Sequence, residues 1–152
     1  MFVISILIFL ATSLMAMFIA FELAAYLDIL SIILVLVPAL FFSIAATSYH
    51  SLIQGVVMLL SDKKPYTPVQ LTLSKHSFRV LGNTALLLGI FSTLLGIIAI
   101  AGNLPVAEFS TALGGAIAVC LLTLYYCVAL KLICYVAEQK IQHKLILTTD
   151  AN

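Results

Sequence analysis

The sequence predicts an all-α membrane protein with four transmembrane helices. Of its 152 residues, 64% are hydrophobic and 9% are charged, and the mean hydropathy is +1.25, which excludes an ordinary soluble domain. Four apolar runs, at about residues 2–20, 29–46, 80–101 and 113–135, match the roughly 20 residues that a helix needs to cross a bilayer. We expect one membrane domain over residues 1–152.

The basic residues predict the orientation of the chain. All seven lie either between the second and third spans or from the end of the fourth span onward: Lys63, Lys64, Lys75, Arg79, Lys131, Lys140 and Lys144. The other two connections carry only the acidic residues Glu22, Asp28 and Glu108. The positive-inside rule therefore predicts that both termini, the loop 47–79 and the tail 136–152 are cytoplasmic. The basic residues indicate topology rather than a nucleic-acid surface.

The first two spans have distinct features. Residues 2–20 lack the basic residues that precede the apolar part of a signal peptide, and no soluble domain follows, so we interpret them as a span. Pro38 removes one backbone hydrogen bond within the second span and is expected to bend it. Asp28 opens this span, either as a helix cap suited to the helix dipole or as an ion-entry residue.

The cytoplasmic loop is predicted to hold two short helices. The first runs from about residue 48 to 60, and the sequence from Asp62 to Pro68 interrupts it. Thr67 is a candidate N-cap and Pro68 a candidate first residue of the second helix, which reaches Arg79 and continues into the third span. The tail is expected to extend the fourth span by two or three turns.

Small residues recur every seven positions in the last two spans, which places each set on one helix face. The two sets are Gly82, Gly89 and Gly96 in the third span and Cys120, Cys127 and Cys134 in the fourth. Small residues let membrane helices pack closely, so the spans are predicted to pack against each other or against another subunit. Three cysteines on one helix cannot form disulfides with each other, and we interpret them as small buried residues rather than metal ligands.

Hydroxyl side chains lie near the middle of the same two spans. Ser92 and Thr93 belong to the third, and Thr123 lies in the fourth between Cys120 and Cys127. Such a threonine usually bonds to a carbonyl of its own helix. Together the three hydroxyls could instead line a narrow polar ion path or face a carboxylate from another protein. Neither span contains an acidic residue, although ion-moving proteins generally place one in the membrane.

Several segments resemble the MotA-type flagellar stator proteins. The stretch from Gly89 to Gly96 resembles G-x-x-G-T-x-x-G of the family's third helix, with Ser92 at the inner glycine and Thr93 at the threonine. Residues 117–126 resemble I-A-V-A-L-L-T-T-L-Y of the fourth helix. Residues 28–36 resemble the outer Asp and the start of the second helix, and Ala137-Glu138 the Ala-Glu after the fourth.

The resemblance implies an ion-channel subunit of the MotA/TolQ/ExbB superfamily in the bacterial inner membrane. Such subunits form a pentamer around two single-span partners of the MotB/TolR/ExbD type, and the partner carries the aspartate that takes up the proton or sodium ion. Ion flow then moves one component against the other as in a molecular motor. The resemblance implies no enzymatic activity, cofactor or metal.

Two departures leave alternatives open. The interval between spans two and three is much shorter than the charged cytoplasmic domain of MotA, which disfavours a flagellar role. Leu124 stands at the family's second fourth-helix threonine, which favours a non-conducting scaffold or assembly protein derived from the same family. An unrelated membrane protein, for example an enzyme subunit, is a third alternative, although the spans lack paired histidines or carboxylates at metal or acid–base spacing.

Overall fold

The computed structural model describes residues 2–19, 28–60, 66–103 and 109–150, and these ranges are helical without any strand. Their five helices are α1 (Phe2–Ile19), α2 (Ile29–Ala46), α3 (Tyr49–Leu60), α4 (Pro68–Asn103) and α5 (Phe109–Asp150). The predicted all-α class is therefore confirmed.

Membrane-spanning capacity is clearest in the two longest helices. Pro68–Gly102 of α4 and Ile117–Thr148 of α5 are each long and apolar enough to cross a bilayer. Helices α2 and α3 meet that criterion only as a pair bent by 110°, and α1 contains the shorter apolar segment Val3–Ala16. The described residues thus support a membrane protein with two or three candidate spans. The four-span arrangement and the cytoplasmic termini stay predictions.

The segment between α2 and α4 agrees with its prediction. The first expected helix is present as α3, and the second, residues 68–79, forms the first turns of the 36-residue α4 and continues into the predicted third span. Thr67 caps α4: the Gln70 amide donates to Thr67 Oγ1 at 3.4 Å, and the Thr67 amide donates to Gln70 Oε1 at 3.1 Å. This reciprocal pair is a capping box, and it confirms the predicted start.

The two glycine and cysteine sets face each other along an antiparallel α4–α5 pair. A Cβ added at Gly82 would lie 2.9 Å from Cys134 Cβ, and one at Gly96 would lie 2.5 Å from Cys120 Sγ. At Gly89 the added Cβ would overlap both Cβ and Sγ of Cys127. The seam between the helices therefore requires glycine at Gly89 and leaves little space at the other two positions. The three cysteines are free and buried.

The main hydrophobic core lies where α3 packs against α4 and α5. Its buried side chains are Ala39, Leu52, Met58, Leu59, Leu71, Phe78, Leu81, Ala85, Cys134, Ala137 and Ile141. Helix α2 packs mainly on α4 and less on α5, whereas α1 has few contacts with the other helices. Asp28, Ser92 and Thr123, three of the residues predicted to take part in ion entry or the ion path, lie between α2, α4 and α5.

Candidate functional site: a polar groove between α2, α4 and α5

A chain of hydrogen-bonded oxygens joins α2 to α5. Ser31 Oγ donates to Asp28 Oδ2 at 2.5 Å, and Ser31 Oγ lies 3.0 Å from Thr123 Oγ1. Thr123 Oγ1 also lies 3.2 Å from the Val119 carbonyl oxygen, to which it can donate. Ser31 and Thr123 are buried, and Asp28 is half-buried. The sequence predicted roles for Asp28 and Thr123 separately, and the fold connects them through Ser31.

These residues line a groove of about 530 Å³ bounded by α2, α4 and α5. Its polar side chains are Asp28, Ser31, Ser92 and Thr123. The rest of the lining is apolar or small: Leu34, Pro38, Leu88, Phe91, Leu95, Gly96, Ala99, Val119 and Cys120. The groove is thus a mostly apolar cleft that receives a few oxygen atoms from three helices.

Thr93 occupies a different place from Thr123. Its hydroxyl lies 2.8 Å from the Gly89 carbonyl oxygen and 3.3 Å from the Cys120 carbonyl oxygen across the seam, with donor geometry to both. It does not line the groove. Of the three hydroxyls predicted for an ion path, Ser92 and Thr123 share the groove, whereas Thr93 ties α4 to α5.

Ser31 is the site residue that the sequence argument did not single out. It lies one turn after Asp28 and begins a buried row on α2 with Val35, Ala39 and Ser43. A spacing of four residues places these side chains on one face of the helix. A hydroxyl three positions after a carboxylate, on the buried face of an apolar helix, was the signal available.

The acidic charge among the described lining residues of the groove comes from Asp28, just before α2. Residues 80–101 and 113–135 contain no aspartate or glutamate, so Asp28 is the carboxylate among the lining residues. Within the described ranges, no group of three His, Cys, Asp or Glu side chains could hold a metal ion. The groove therefore offers hydroxyl oxygens along its wall and one carboxylate at the start of α2.

No protein-family model, curated protein or solved structure matches this chain.

Proposed function

We propose that the protein is the hydroxyl-bearing subunit of a membrane ion channel that couples proton or sodium flow to movement of a partner complex. The groove is the observation that carries this proposal. It contains hydroxyls from three helices, its one carboxylate among the described lining residues is Asp28 just before α2, and spans three and four contain none. The ion-carrying aspartate would come from a single-span partner of the MotB/TolR/ExbD type, within a pentamer of this chain in a bacterial inner membrane.

The groove chemistry suits a transient ion. An ion that leaves water for an apolar cleft needs oxygen dipoles in place of its hydration shell, and Ser31, Ser92 and Thr123 provide them. Hydroxyls hold an ion less strongly than a fixed carboxylate does, so the ion can pass on to an acidic partner. Each elementary charge that crosses 100 mV releases about 2.3 kcal/mol, which repeated transfers can convert into movement.

A rigid α4–α5 pair supports the mechanical part of the proposal. Close contact at Gly89, together with the hydrogen bond from Thr93 to the Cys120 carbonyl, holds the two helices as one unit. Both helices extend past their predicted spans, α4 at its N-terminal end and α5 at its C-terminal end. Movement at the groove would therefore reach the cytoplasmic ends of both.

A non-conducting scaffold of the same family is the second candidate. The hydroxyls of Thr93 and Thr123 already have hydrogen-bond partners within the bundle. Hydroxyls satisfied in this way can serve packing alone. In this case the groove would hold lipid or a partner helix without ion flow.

Affinity purification from native membranes tests the partner. We expect particles with fivefold symmetry that contain a single-span protein with an aspartate inside its span. A monomer without any partner would overturn both the channel and the scaffold.

Ion flux into proteoliposomes that contain the purified complex separates the two candidates. We expect Thr123→Val and Ser92→Ala to lower proton or sodium flux severalfold. Thr84→Val is the matched control, because its hydroxyl bonds only within α4, to the Val80 carbonyl at 2.8 Å, and lies outside the groove. Absence of flux in the intact wild-type complex would select the scaffold.

A further inference from the structure

Helix α3 has two apolar faces, of which only one is covered by the protein. Leu52, Gly55, Met58 and Leu59 are buried against the bundle. On the other side, five large apolar side chains are exposed at helical spacing: Tyr49, Ile53, Val56, Val57 and Leu60. The helix contains no charged residue. This outer face of α3, defined by those five residues, is unlike the polar surface of a helix in water.

The position of α3 along α4 places it beside the apolar part of the bundle. It turns by 110° from α2 instead of continuing away. Ser74 Oγ donates to the Ser51 carbonyl at 3.1 Å, and Gly55 packs against Phe78. Ser74 and Phe78 precede the apolar run at Val80 by about 3–9 Å at helical rise. The headgroup region of one leaflet is about 5–8 Å thick. A third span that begins at Val80, as the sequence predicts, would therefore place these contacts of α3 at about headgroup depth.

Two lysines cap the C-terminal end of α3. Lys140 Nζ donates to the Leu59 carbonyl at 3.1 Å, and Lys144 Nζ donates to the Met58 carbonyl at 2.6 Å. The last carbonyls of a helix need partners, usually water or a capping group. Lysine side chains often bond to such carbonyls, and their charge also suits the negative end of the helix dipole.

Basic residues lie close to the contacts of α3. Lys140 and Lys144 bond to its last carbonyls, and in α4 Lys75 follows Ser74 and Arg79 follows Phe78 in sequence. The cytoplasmic leaflet is rich in anionic lipid, and each basic residue near it contributes about 1 kcal/mol of attraction. Charge complementarity therefore favours a lipid surface, rather than a second copy with the same positive charges, as the cover for the outer face of α3.

We propose that α3 is an interfacial helix whose outer face lies in the headgroup–acyl boundary of the cytoplasmic leaflet and binds anionic phospholipid. Interfacial helices usually carry a charged face opposite the apolar one. In α3 the bundle covers that opposite face instead, and the basic residues come from α4 and α5. The inference does not depend on ion conduction, since it applies equally to a channel and to a scaffold.

Fluorescence quenching of the full-length protein in vesicles tests this position. Val57→Cys is labelled with an environment-sensitive fluorophore. Wild-type protein treated with the same fluorophore gives the signal that comes from the native cysteines, and this signal is subtracted. The matched control is His143→Cys, an exposed position on α5. In phosphatidylglycerol–phosphatidylcholine vesicles, we expect nitroxide-labelled lipid to quench the Val57 label severalfold more than the His143 label, and aqueous iodide to show the opposite order. Ile53→Cys repeats the measurement if Val57→Cys does not fold.

Two results would overturn the position of α3, and a third would refute its preference for anionic lipid. One is equal iodide quenching at positions 57 and 143, which would place α3 in water. The other is crosslinking between copies through the cysteine at position 57 without lipid quenching, which would assign the outer face to a second copy. Quenching by nitroxide lipid that persists unchanged in pure phosphatidylcholine would refute the preference for anionic lipid.

Discussion

Replacement of Gly89 by alanine tests the α4–α5 seam at its closest approach. The added Cβ would overlap Cys127 at both Sγ and Cβ. The thiol can rotate away, but Cys127 Cβ is fixed to its backbone, so the helices must separate. Overpacking of this kind costs about 1–3 kcal/mol. We expect Gly89→Ala to lower the free energy of unfolding by this amount.

The other glycines of α4 predict smaller losses in the free energy of unfolding, graded by the contact that an added Cβ would make. At Gly96 the contact at 2.5 Å is with the rotatable Sγ of Cys120, whose Cβ is 3.9 Å away, so alanine should cost less. At Gly82 the fixed Cβ of Cys134 is 2.9 Å away, which predicts an intermediate cost. Gly102 has nothing within 4 Å, and alanine there should be neutral or stabilising by up to about 1 kcal/mol, because it is the better helix former.

Reversible unfolding in mixed micelles, followed by circular dichroism, measures these differences. Cys127→Gly removes the side chain that the added Cβ at position 89 would overlap. The double variant Gly89→Ala/Cys127→Gly should therefore recover part of the stability that Gly89→Ala loses. The double-mutant cycle gives the coupling energy between the two positions. If Gly89→Ala were as stable as Gly102→Ala, the close seam and the rigid pair that it implies would be refuted.

Two further substitutions test contacts that the fold creates between distant residues. Ser31→Ala removes the bonds to Asp28 and Thr123; at about 0.5–1.5 kcal/mol for each bond, we expect a loss of about 1–3 kcal/mol in the same unfolding assay. Lys144→Met releases the Met58 carbonyl, so the amides in the last turn of α3 should exchange hydrogen faster, as measured by mass spectrometry.

Each of these substitutions has a matched control. Ser77→Ala removes a buried hydroxyl that bonds only to the Leu73 carbonyl of its own helix, and we expect it to be close to neutral. An equal loss for Ser77→Ala would show that the bonds of Ser31 between helices add nothing. Lys75→Met removes a positive charge from α4. If it accelerated exchange in α3 as much as Lys144→Met, general charge rather than capping would explain the result.

The helices were predictable because their signals are local. Apolar runs predicted helices at residues 80–101 and 113–135, which lie within α4 and α5. The Thr67–Gln70 pair marks the start of α4. Break residues placed the end of α3 correctly at Leu60. The 110° turn between α2 and α3 was not predicted, because it depends on how α3 packs against α4.

The candidate site was predictable only in part. Residue type and depth identified Asp28, Ser92 and Thr123, which share the groove. Thr93 has the same residue type and depth but bonds across the seam, whereas Ser31 was not among the predicted residues. Helical periodicity gives the face of a residue relative to its own helix, but it does not say which neighbouring helix that face meets.

The sequence by itself determined that the chain is helical and apolar, that small residues repeat along two helices, and that those helices carry hydroxyls without carboxylates. Hydropathy and periodicity are properties of short segments, so no partner helix is needed to recognise them. Only the tertiary structure decided that Gly89 faces Cys127 and that Ser31 joins Asp28 to Thr123. Both contacts depend on the rotation and register of one helix against another, which packing across the whole bundle sets.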